Sequence, residues 1–314
     1  MKKLFIAAIL LLAVSVSDAC SICGCGGGSF YMGLIPNFKN KFIGVRYSYA
    51  EYHTNLINDP TQFSHNFYNT VEIWSGINIG KRWQVLAFLP YHYNVQFDDD
   101  MGHASKRGLG DITVLGNYKL FDTRYLKDQT YKASQQVWVG GGIKLPTGSF
   151  NVNVNDSTTT LADINAQIGT GSVDLFLNAR HEIQFNRFGI NSSVSYKIGL
   201  PNSQDYKYGN KLMLNSLMFY RITKKAFTIT PNAGLTYENT ASNKLNGQKI
   251  YLSDGLNSGT YATGGYTLNA LAGTEITIKQ VTIGANLQLP LAQDFAAGQT
   301  KLNVKGMLHI SFAL

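Results

Sequence analysis

Apolar and polar residues alternate near the end of the chain, over residues 302–312. One row consists of Leu302, Val304, Gly306, Leu308, Ile310 and Phe312, and the other of Asn303, Lys305, Met307, His309 and Ser311. A period of two predicts a β-strand, because successive side chains of a strand point to opposite faces. The polar row would face water in a soluble β-sandwich, but the lumen in a transmembrane barrel.

The same alternation predicts about twelve strands after residue 40. Their ranges are 42–52, 68–79, 83–97, 109–120, 135–145, 173–183, 188–198, 211–222, 227–238, 266–278, 281–289 and the terminal stretch 302–312. Tight turns are expected at 80–82, 186–187 and 279–280.

The connections between these strands alternate in length. Most of those after even-numbered strands are short, whereas those after odd-numbered strands are long: 54–67, 98–108, 146–172, 199–210, 239–265 and 290–301. Short periplasmic turns and long extracellular loops are typical of outer-membrane barrels, and a sandwich gives no reason for the alternation. We therefore predict an all-β fold, an antiparallel transmembrane barrel of about 12 strands in the bacterial outer membrane. An even number of strands places both termini in the periplasm.

The composition agrees with a barrel. Charged residues make up 15% of the chain, against about 25% in an average soluble protein. The chain is rich in Gly (31), Tyr (18) and Phe (17), yet its mean hydropathy is −0.09. A lipid face and a polar lumen that cancel in the average produce this combination.

The first 19 residues have the pattern of a signal peptide. Lys2 and Lys3 precede an apolar stretch at 4–16, and small residues end at Ala19. Cleavage there would leave Cys20 at the mature N-terminus. No later apolar run reaches the roughly 18 residues of a membrane-spanning helix. The predicted organisation is a signal peptide (1–19), a Cys- and Gly-rich periplasmic segment (20–39) and the barrel (40–314).

By parity, the inward positions carry ionisable side chains of both signs. The candidate lumen and permeation residues are Arg46, Glu72, His92, Asp111, Lys119, Lys144, Asp174, Arg180, Glu182, Lys305 and His309, and Lys197, Glu238 and Glu275 share the same face. Mixed signs indicate a salt-bridged, hydrated lumen. Two interpretations stay open: the ion pairs fill and brace a narrow barrel, or they line a path for small solutes.

The three cysteines of the chain stand together as Cys20, Cys23 and Cys25. Thiolates at this spacing could hold Cu(I), or Zn(II) with a fourth ligand. A disulfide with one thiol left over, a lipid on Cys20 and a flexible tether are the alternatives. The segment therefore also allows a second function, a barrel-anchored metal-binding or redox-partner protein.

Other chemistry finds little support. The run Asp98-Asp99-Asp100 with His103 has no EF-hand spacing and is typical of a solvated loop. A lipid-facing hydrolase would need an outward Ser and His, whereas His92 and His309 are predicted to face inward. Neither a phosphate-binding glycine loop nor a nucleic-acid module is present in the sequence. The expected partners are outer-membrane lipid, a small-molecule solute and, through the terminal aromatic Phe312, the barrel-assembly machinery.

Three short motifs occur in order along the chain: Gly108-Leu109-Gly110-Asp111, Lys144-Leu145-Pro146-Thr147-Gly148 and Gly169-Thr170-Gly171-Ser172-Val173-Asp174. With the strand pattern over most of residues 40–314, the chain resembles the "MetA-pathway of phenol degradation" transporter-like family of outer-membrane barrels. The resemblance implies a channel or transporter for small solutes, hydrophobic ones included. The inward parity of His92 and His309 argues separately against an enzyme.

Overall fold

A computed structural model of the chain describes residues 41–55, 63–98, 102–123, 133–156, 164–250, 263–296 and 298–314. Seventeen strands lie in these ranges: β1 Lys41–Asn55, β2 Phe63–Ile79, β3 Trp83–Asp98, β4 Gly102–Leu109, β5 Thr113–Asp122, β6 Ser134–Lys144, β7 Asp174–Phe185, β8 Phe188–Gly199, β9 Tyr206–Lys207, β10 Lys211–Tyr220, β11 Ile222–Thr223, β12 Thr228–Thr240, β13 Lys244–Leu245, β14 Gln248–Lys249, β15 Gly265–Ile278, β16 Val281–Phe295 and β17 Thr300–Ala313. Among the described residues, no helix combines the length and the hydropathy needed to cross a membrane.

The strands close into one antiparallel barrel. Successive wall strands pair with each other, β8 with β10 and β12 with β15, and β1 pairs with β17, with Ile43 opposite Phe312 and Tyr47 opposite Leu308. The short strands β9, β13 and β14 form a separate three-stranded sheet. Because β4 and β5 lie end to end along β3, they form one wall strand, and the wall has twelve strands in all. The predicted fold class is therefore confirmed. Closure also leaves no free edge between the first and the last strand, as lipid requires.

The alternation of the sequence becomes an apolar outer face and a polar interior. On β17, Leu308 is 56% exposed while the next residue, His309, is buried. Large apolar side chains such as Val45, Ile73 and Leu177 face outward on their strands. In a water-soluble protein this surface would be an extensive exposed apolar patch, whereas in a membrane it contacts lipid.

One end of the barrel, here called the turn end, holds the short connections and both ends of the wall, Lys41 and Ala313. Asn186 and Lys279 adopt positive φ (53° for both) in the two-residue turns that the sequence predicts. Exposed aromatic side chains surround this end: Trp83, Phe121, Phe185, Phe188, Tyr220 and Phe312. Such a ring is the aromatic girdle of a transmembrane barrel at the membrane interface.

The opposite end, the loop end, contains more strand than predicted: β2 already begins at Phe63, and the predicted loops 199–210 and 239–265 contain the short strands β9, β13 and β14. The largest differences lie in two other predicted loops. Residues 98–108 and 290–301 are expected to be loops, but β3 and β4 extend as a paired hairpin and β16 continues to Phe295. Alternation is weak in both stretches because Asp, Gly and Pro interrupt it, and pairing with a neighbouring strand overrides that local signal.

The terminal strand also departs from the predicted parity at its start. Leu302 is expected in the outward apolar row, but it is 1% exposed and faces the interior. The register between β1 and β17 shifts at this point, because Glu51 pairs with Val304 while Tyr52 pairs with Leu302. Asn303 is thus the extra residue of a β-bulge, and a one-residue slip reverses the faces beyond it.

Part of the interior is apolar. Phe42, Trp74, Leu86, Phe88, Leu115 and Phe176 form a buried cluster, here called the apolar layer. The layer spans the strands from β1 to β7, where glycines make room for it. A Cβ on Gly76 would collide with Phe42 and Leu86, and one on Gly142 would collide with Leu115.

Candidate functional site

The barrel interior is the candidate site. The structure places nine of the eleven predicted lumen residues in buried positions, namely Arg46, Glu72, His92, Asp111, Lys119, Lys144, Asp174, Lys305 and His309. Arg180 and Glu182 are partly exposed. The strand period explains these positions, but it does not say which residues meet.

The three sequence motifs converge in space. Asp111 lies between β4 and β5, Lys144 ends β6 and Asp174 begins β7. Nζ of Lys144 is 2.9 Å from Oδ2 of Asp111 and 2.9 Å from Oδ2 of Asp174. Lys197 of β8 lies 3.4 Å from the same Asp174 oxygen. Two carboxylates and two ammonium groups thus form a charge-balanced cluster in which Asp174 is fully buried.

The cluster also holds the connection between β6 and β7. The Asp111 carboxylate accepts hydrogen bonds from the Gly148 backbone N–H (2.9 Å), the Thr170 backbone N–H (3.0 Å) and the Thr170 hydroxyl (2.8 Å). Lys144 donates to the same Thr170 hydroxyl. We call Asp111, Lys144, Thr170, Asp174 and Lys197 the loop-end cluster. Sequence reasoning quoted Thr170 within a motif but missed its role.

The loops at this end pack on one another. Val154 and Ile164 from the connection between β6 and β7 form a buried apolar cluster with Tyr206 and Tyr208 from the connection between β8 and β10. Leu245 and Ile250, from the connection between β12 and β15, pack against this cluster. The Tyr208 hydroxyl donates to the Ile164 carbonyl (3.2 Å), and the Asn243 amide donates to the Tyr206 hydroxyl (2.8 Å). The described parts of these loops therefore form a packed, hydrogen-bonded structure at the loop end.

A second charged group crosses the interior. Glu238 on β12 lies 2.7 Å from Lys211 on β10 and 2.7 Å from Lys305 on β17. Two strands, β15 and β16, separate β12 from β17, so the bond to Lys305 reaches over them. The sequence pattern does not predict Lys211 as a lumen residue, because the alternation around β10 is the least regular of the chain.

The remaining ionisable residues pair nearer to their own strands. Arg46 forms an ion pair with its cross-strand neighbour Glu72, and its guanidinium lies 5.4 Å from the Trp74 ring centroid. Lys119 is 3.0 Å from Asp122 and 4.6 Å from the Trp138 ring.

The guanidinium of Arg180, on the neighbouring strand β7, lies 5.4 Å from the centroid of the same Trp138 ring. Glu182 accepts a hydrogen bond from the Asn191 amide (3.3 Å). The cations of this group thus contact a carboxylate, an aromatic ring or both, and Glu182 accepts an amide hydrogen bond.

The two candidate histidines, His92 and His309, occupy separate places in the interior. Nδ1 of His92 is 2.8 Å from the Thr70 hydroxyl, and Nε2 of His309 is 3.0 Å from a Glu275 oxygen. Both face inward and are buried, which does not fit the lipid-facing Ser–His pair of a hydrolase.

The predicted thiolate site at Cys20, Cys23 and Cys25 lies outside the described residues. So do Asp99 and Asp100, and the side chains of Asp98 and His103 are not described either. Within the described ranges, no three His, Cys, Asp or Glu side chains are arranged to hold a metal ion.

Comparisons with known proteins support the fold. No protein-family model and no curated protein matches the chain. Among solved structures, an outer membrane channel from Pseudomonas putida F1 is similar with a TM-score of 0.60 at 11% identity, over 95% of this chain and 99% of that one. The beta domain of the Bordetella autotransporter BrkA (TM-score 0.49, 9% identity, 88% and 100% covered) and the transport unit of the autotransporter AIDA-I from Escherichia coli (0.46, 8%, 92% and 95%) are also similar.

At such low identity the likeness to the first structure establishes the fold alone. Together with the closed wall and the apolar outer face, it defines the class of protein: a twelve-stranded β-barrel of the outer-membrane type, with short turns at one end and longer loops at the other.

Proposed function

We propose that the protein is a channel in the bacterial outer membrane that carries small solutes, hydrophobic ones included, with both termini in the periplasm. The three motifs that carry the resemblance to the phenol-pathway transporter-like family each supply a residue to the loop-end cluster. Residues far apart in the sequence thus serve one structural feature.

One observation carries the proposal. Within the part of the chain that the structure describes, buried inward side-chain atoms on several wall strands have no protein hydrogen-bond partner; they include Gln84 Oε1, both amide atoms of Asn94, Asn117 Oδ1, Asn178 Nδ2, Asn286 Oδ1 and His309 Nδ1. Buried polar atoms nearly always have a hydrogen-bond partner, so these atoms leave hydrogen-bonding capacity in the interior unused. If side chains merely filled the barrel, these atoms would be expected to pair with one another.

The arrangement of charged side chains supports a path that does not strongly select cations over anions or anions over cations. Lys144 and Glu238 each bind two groups of opposite charge, so the interior holds no large field of one sign. Such a lumen admits small neutral solutes more readily than a ring of like charges would.

The experiment is permeation through the purified full chain. We expect discrete conductance steps in planar lipid bilayers and swelling of proteoliposomes in small sugars and amino acids. A variant with Ser at Cys20, Cys23 and Cys25 should conduct equally, because the described wall closes with strands that begin at Lys41. Folded protein, verified by heat-dependent migration on a gel, that neither conducts nor permits swelling would overturn the proposal.

A further inference from the structure

Two histidines stand side by side on the outer face of the barrel, at the loop end of its first hairpin. His53 of β1 is directly opposite His65 of β2, and each lies two residues from the loop-end terminus of its strand. Both side chains are partly exposed, and by strand parity they share the face of the outward residues Tyr47 and Val71. The pair is therefore separate from the interior and from the loop-end cluster.

The facing ring nitrogens are placed to share one ligand. Nδ1 of His53 lies 3.0 Å from Nε2 of His65, and the ring centroids are 4.4 Å apart. In a head-on hydrogen bond of the same length, each nitrogen would point straight at the other and the centroids would be about 5.3 Å apart. Two imidazoles that bind one metal ion at roughly 2.0–2.1 Å would have their centroids about 4.7 Å apart. The measured distance is nearer to this second arrangement, in which both lone pairs converge on one point.

The separation of the two nitrogens also favours one class of metal. With metal–nitrogen bonds of roughly 2.0–2.1 Å, nitrogens that are 3.0 Å apart subtend an angle of about 95° at the ion. This angle suits adjacent positions of a square-planar or tetragonal ion such as Cu(II) or Ni(II). A tetrahedral Zn(II) ion would need the nitrogens about 3.3–3.4 Å apart. Of the three ions, Cu(II) binds tightest in the ordinary affinity order.

Aromatic rings enclose the pair. The ring centroid of Phe63 is 5.8 Å from that of His53 and 5.5 Å from that of His65, and Phe67 stacks on His65 at 6.4 Å. An apolar surrounding limits the access of water to a metal site. It also restricts the rotation of both imidazoles, so less entropy is lost when an ion binds.

The charged neighbours of the pair supply no further ligand. Glu51, two residues from His53 on the same face, accepts hydrogen bonds from the Tyr49 hydroxyl (3.1 Å) and the Asn303 amide (2.8 Å). Lys301, opposite His53 on β17, is exposed. No third His, Cys, Asp or Glu among the described residues joins the two rings. Two imidazoles are thus the ligands that this part of the chain offers.

We propose that His53 and His65 form a cross-strand binding site for a divalent transition-metal ion, with Cu(II) as the preferred ion and water at the remaining positions. When both rings are neutral, the N–H between them moves to the other nitrogen of its own ring. Both facing nitrogens then carry lone pairs, and no proton is released. The bound ion joins the loop-end termini of β1 and β2. The site does not depend on the proposed channel function, because it lies on the outer face of the wall.

The test is Cu(II) binding to the purified full chain, without an affinity tag and with Ser at the three cysteines. We expect one tightly bound Cu(II) per chain with an axial electron paramagnetic resonance spectrum. Electron spin echo modulation should show the remote nitrogens of two imidazoles. Either His53→Gln or His65→Gln should weaken binding at least tenfold and leave the modulation of one imidazole at most.

His181→Gln is the matched control. His181 is also on the outer face, but its cross-strand neighbours are Val137 and Ser192 instead of a second histidine. This variant should bind Cu(II) as tightly as the parent. In urea unfolding, free Cu(II) at 100 times its Kd should raise the ratio of folded to unfolded protein about 100-fold in the parent and the control. The rise should be smaller in the two variants of the pair.

A parent that binds Cu(II) no more tightly than His53→Gln, or that binds it through a single imidazole, would overturn the site and reduce the pair to a hydrogen-bonded contact. If a variant fails to fold, the number of imidazoles in the spectrum of the parent still decides the matter. None of these measurements involves conduction, so their outcome leaves the channel proposal as it stands.

Discussion

Glu238 on β12 and Lys305 on β17 form an ion pair of 2.7 Å, although two wall strands, β15 and β16, lie between β12 and β17. Because both side chains start from inward positions, the pair spans part of the interior instead of lying along the wall. Lys211 binds the second carboxylate oxygen of Glu238 at 2.7 Å. One carboxylate thus holds two ammonium groups in place beside the path that we propose for solutes.

Removing this carboxylate should change ion selectivity. In Glu238→Gln, Lys211 and Lys305 lose their counter-charge, so the interior becomes more positive and anions should be favoured. Under a salt gradient across a planar bilayer, the reversal potential of the variant should move toward the value for an anion-selective channel. The shift should be largest at low salt, where screening is weak. The outward Glu51→Gln is the control, and an equal shift in both variants would contradict the assignment.

Charging the lipid face should destabilise the barrel far more than neutralising a lumen charge. Leu308→Arg places a guanidinium against lipid near the middle of β17 and should cost about 2–4 kcal/mol of unfolding free energy. Lys305→Gln should cost less, because Glu238 keeps Lys211 as a partner. Reversible urea unfolding in lipid vesicles measures both, and equal losses would mean that the two faces are assigned wrongly.

The loop-end cluster should hold the connection between β6 and β7 in place. In Asp111→Asn the charged acceptor of the Gly148 and Thr170 donors is lost, and hydrogen bonds to charged groups contribute about 1.5–3 kcal/mol each. We expect faster protease cleavage within residues 146–173 of the folded barrel and a larger single-channel conductance. Glu72→Gln, which alters an ion pair away from the loops, should leave the cleavage rate unchanged.

Two glycines on neighbouring strands should respond differently to the same added methyl group. Gly142→Ala brings a Cβ into the Leu115 side chain and the Val114 carbonyl, whereas Gly116→Ala has open space around it. Overpacking typically costs about 1–3 kcal/mol, so Gly142→Ala should lower the unfolding free energy by this amount and Gly116→Ala should not. Similar unfolding free energies for the two variants would show that the apolar layer rearranges around an added methyl group at little cost.

The thiolate hypothesis can be examined independently of the barrel. If Cys20, Cys23 and Cys25 bind Cu(I) or Zn(II), a Cys23→Ser, Cys25→Ser double variant should lose most of the metal found in the purified parent by elemental analysis. Conductance should be unaffected in the same preparation. Equal metal content in variant and parent would rule out this site.

The sequence alone determined which face of most strands meets lipid. The side-chain period of a strand is a local property of the backbone, so the alternation around Leu308 and His309 predicts both faces without knowledge of any partner. Turn residues such as Asn186 and Lys279 were equally local, and twelve regular segments with alternating connections were enough to indicate a closed barrel.

Which side chains meet was decided by the tertiary structure. Lys144 binds Asp111 and Asp174 because strand register and barrel curvature bring three distant segments together, and no local pattern encodes either. The inward position of Leu302 has the same origin. It depends on the bulge at Asn303, where the register between β17 and β1 shifts by one residue.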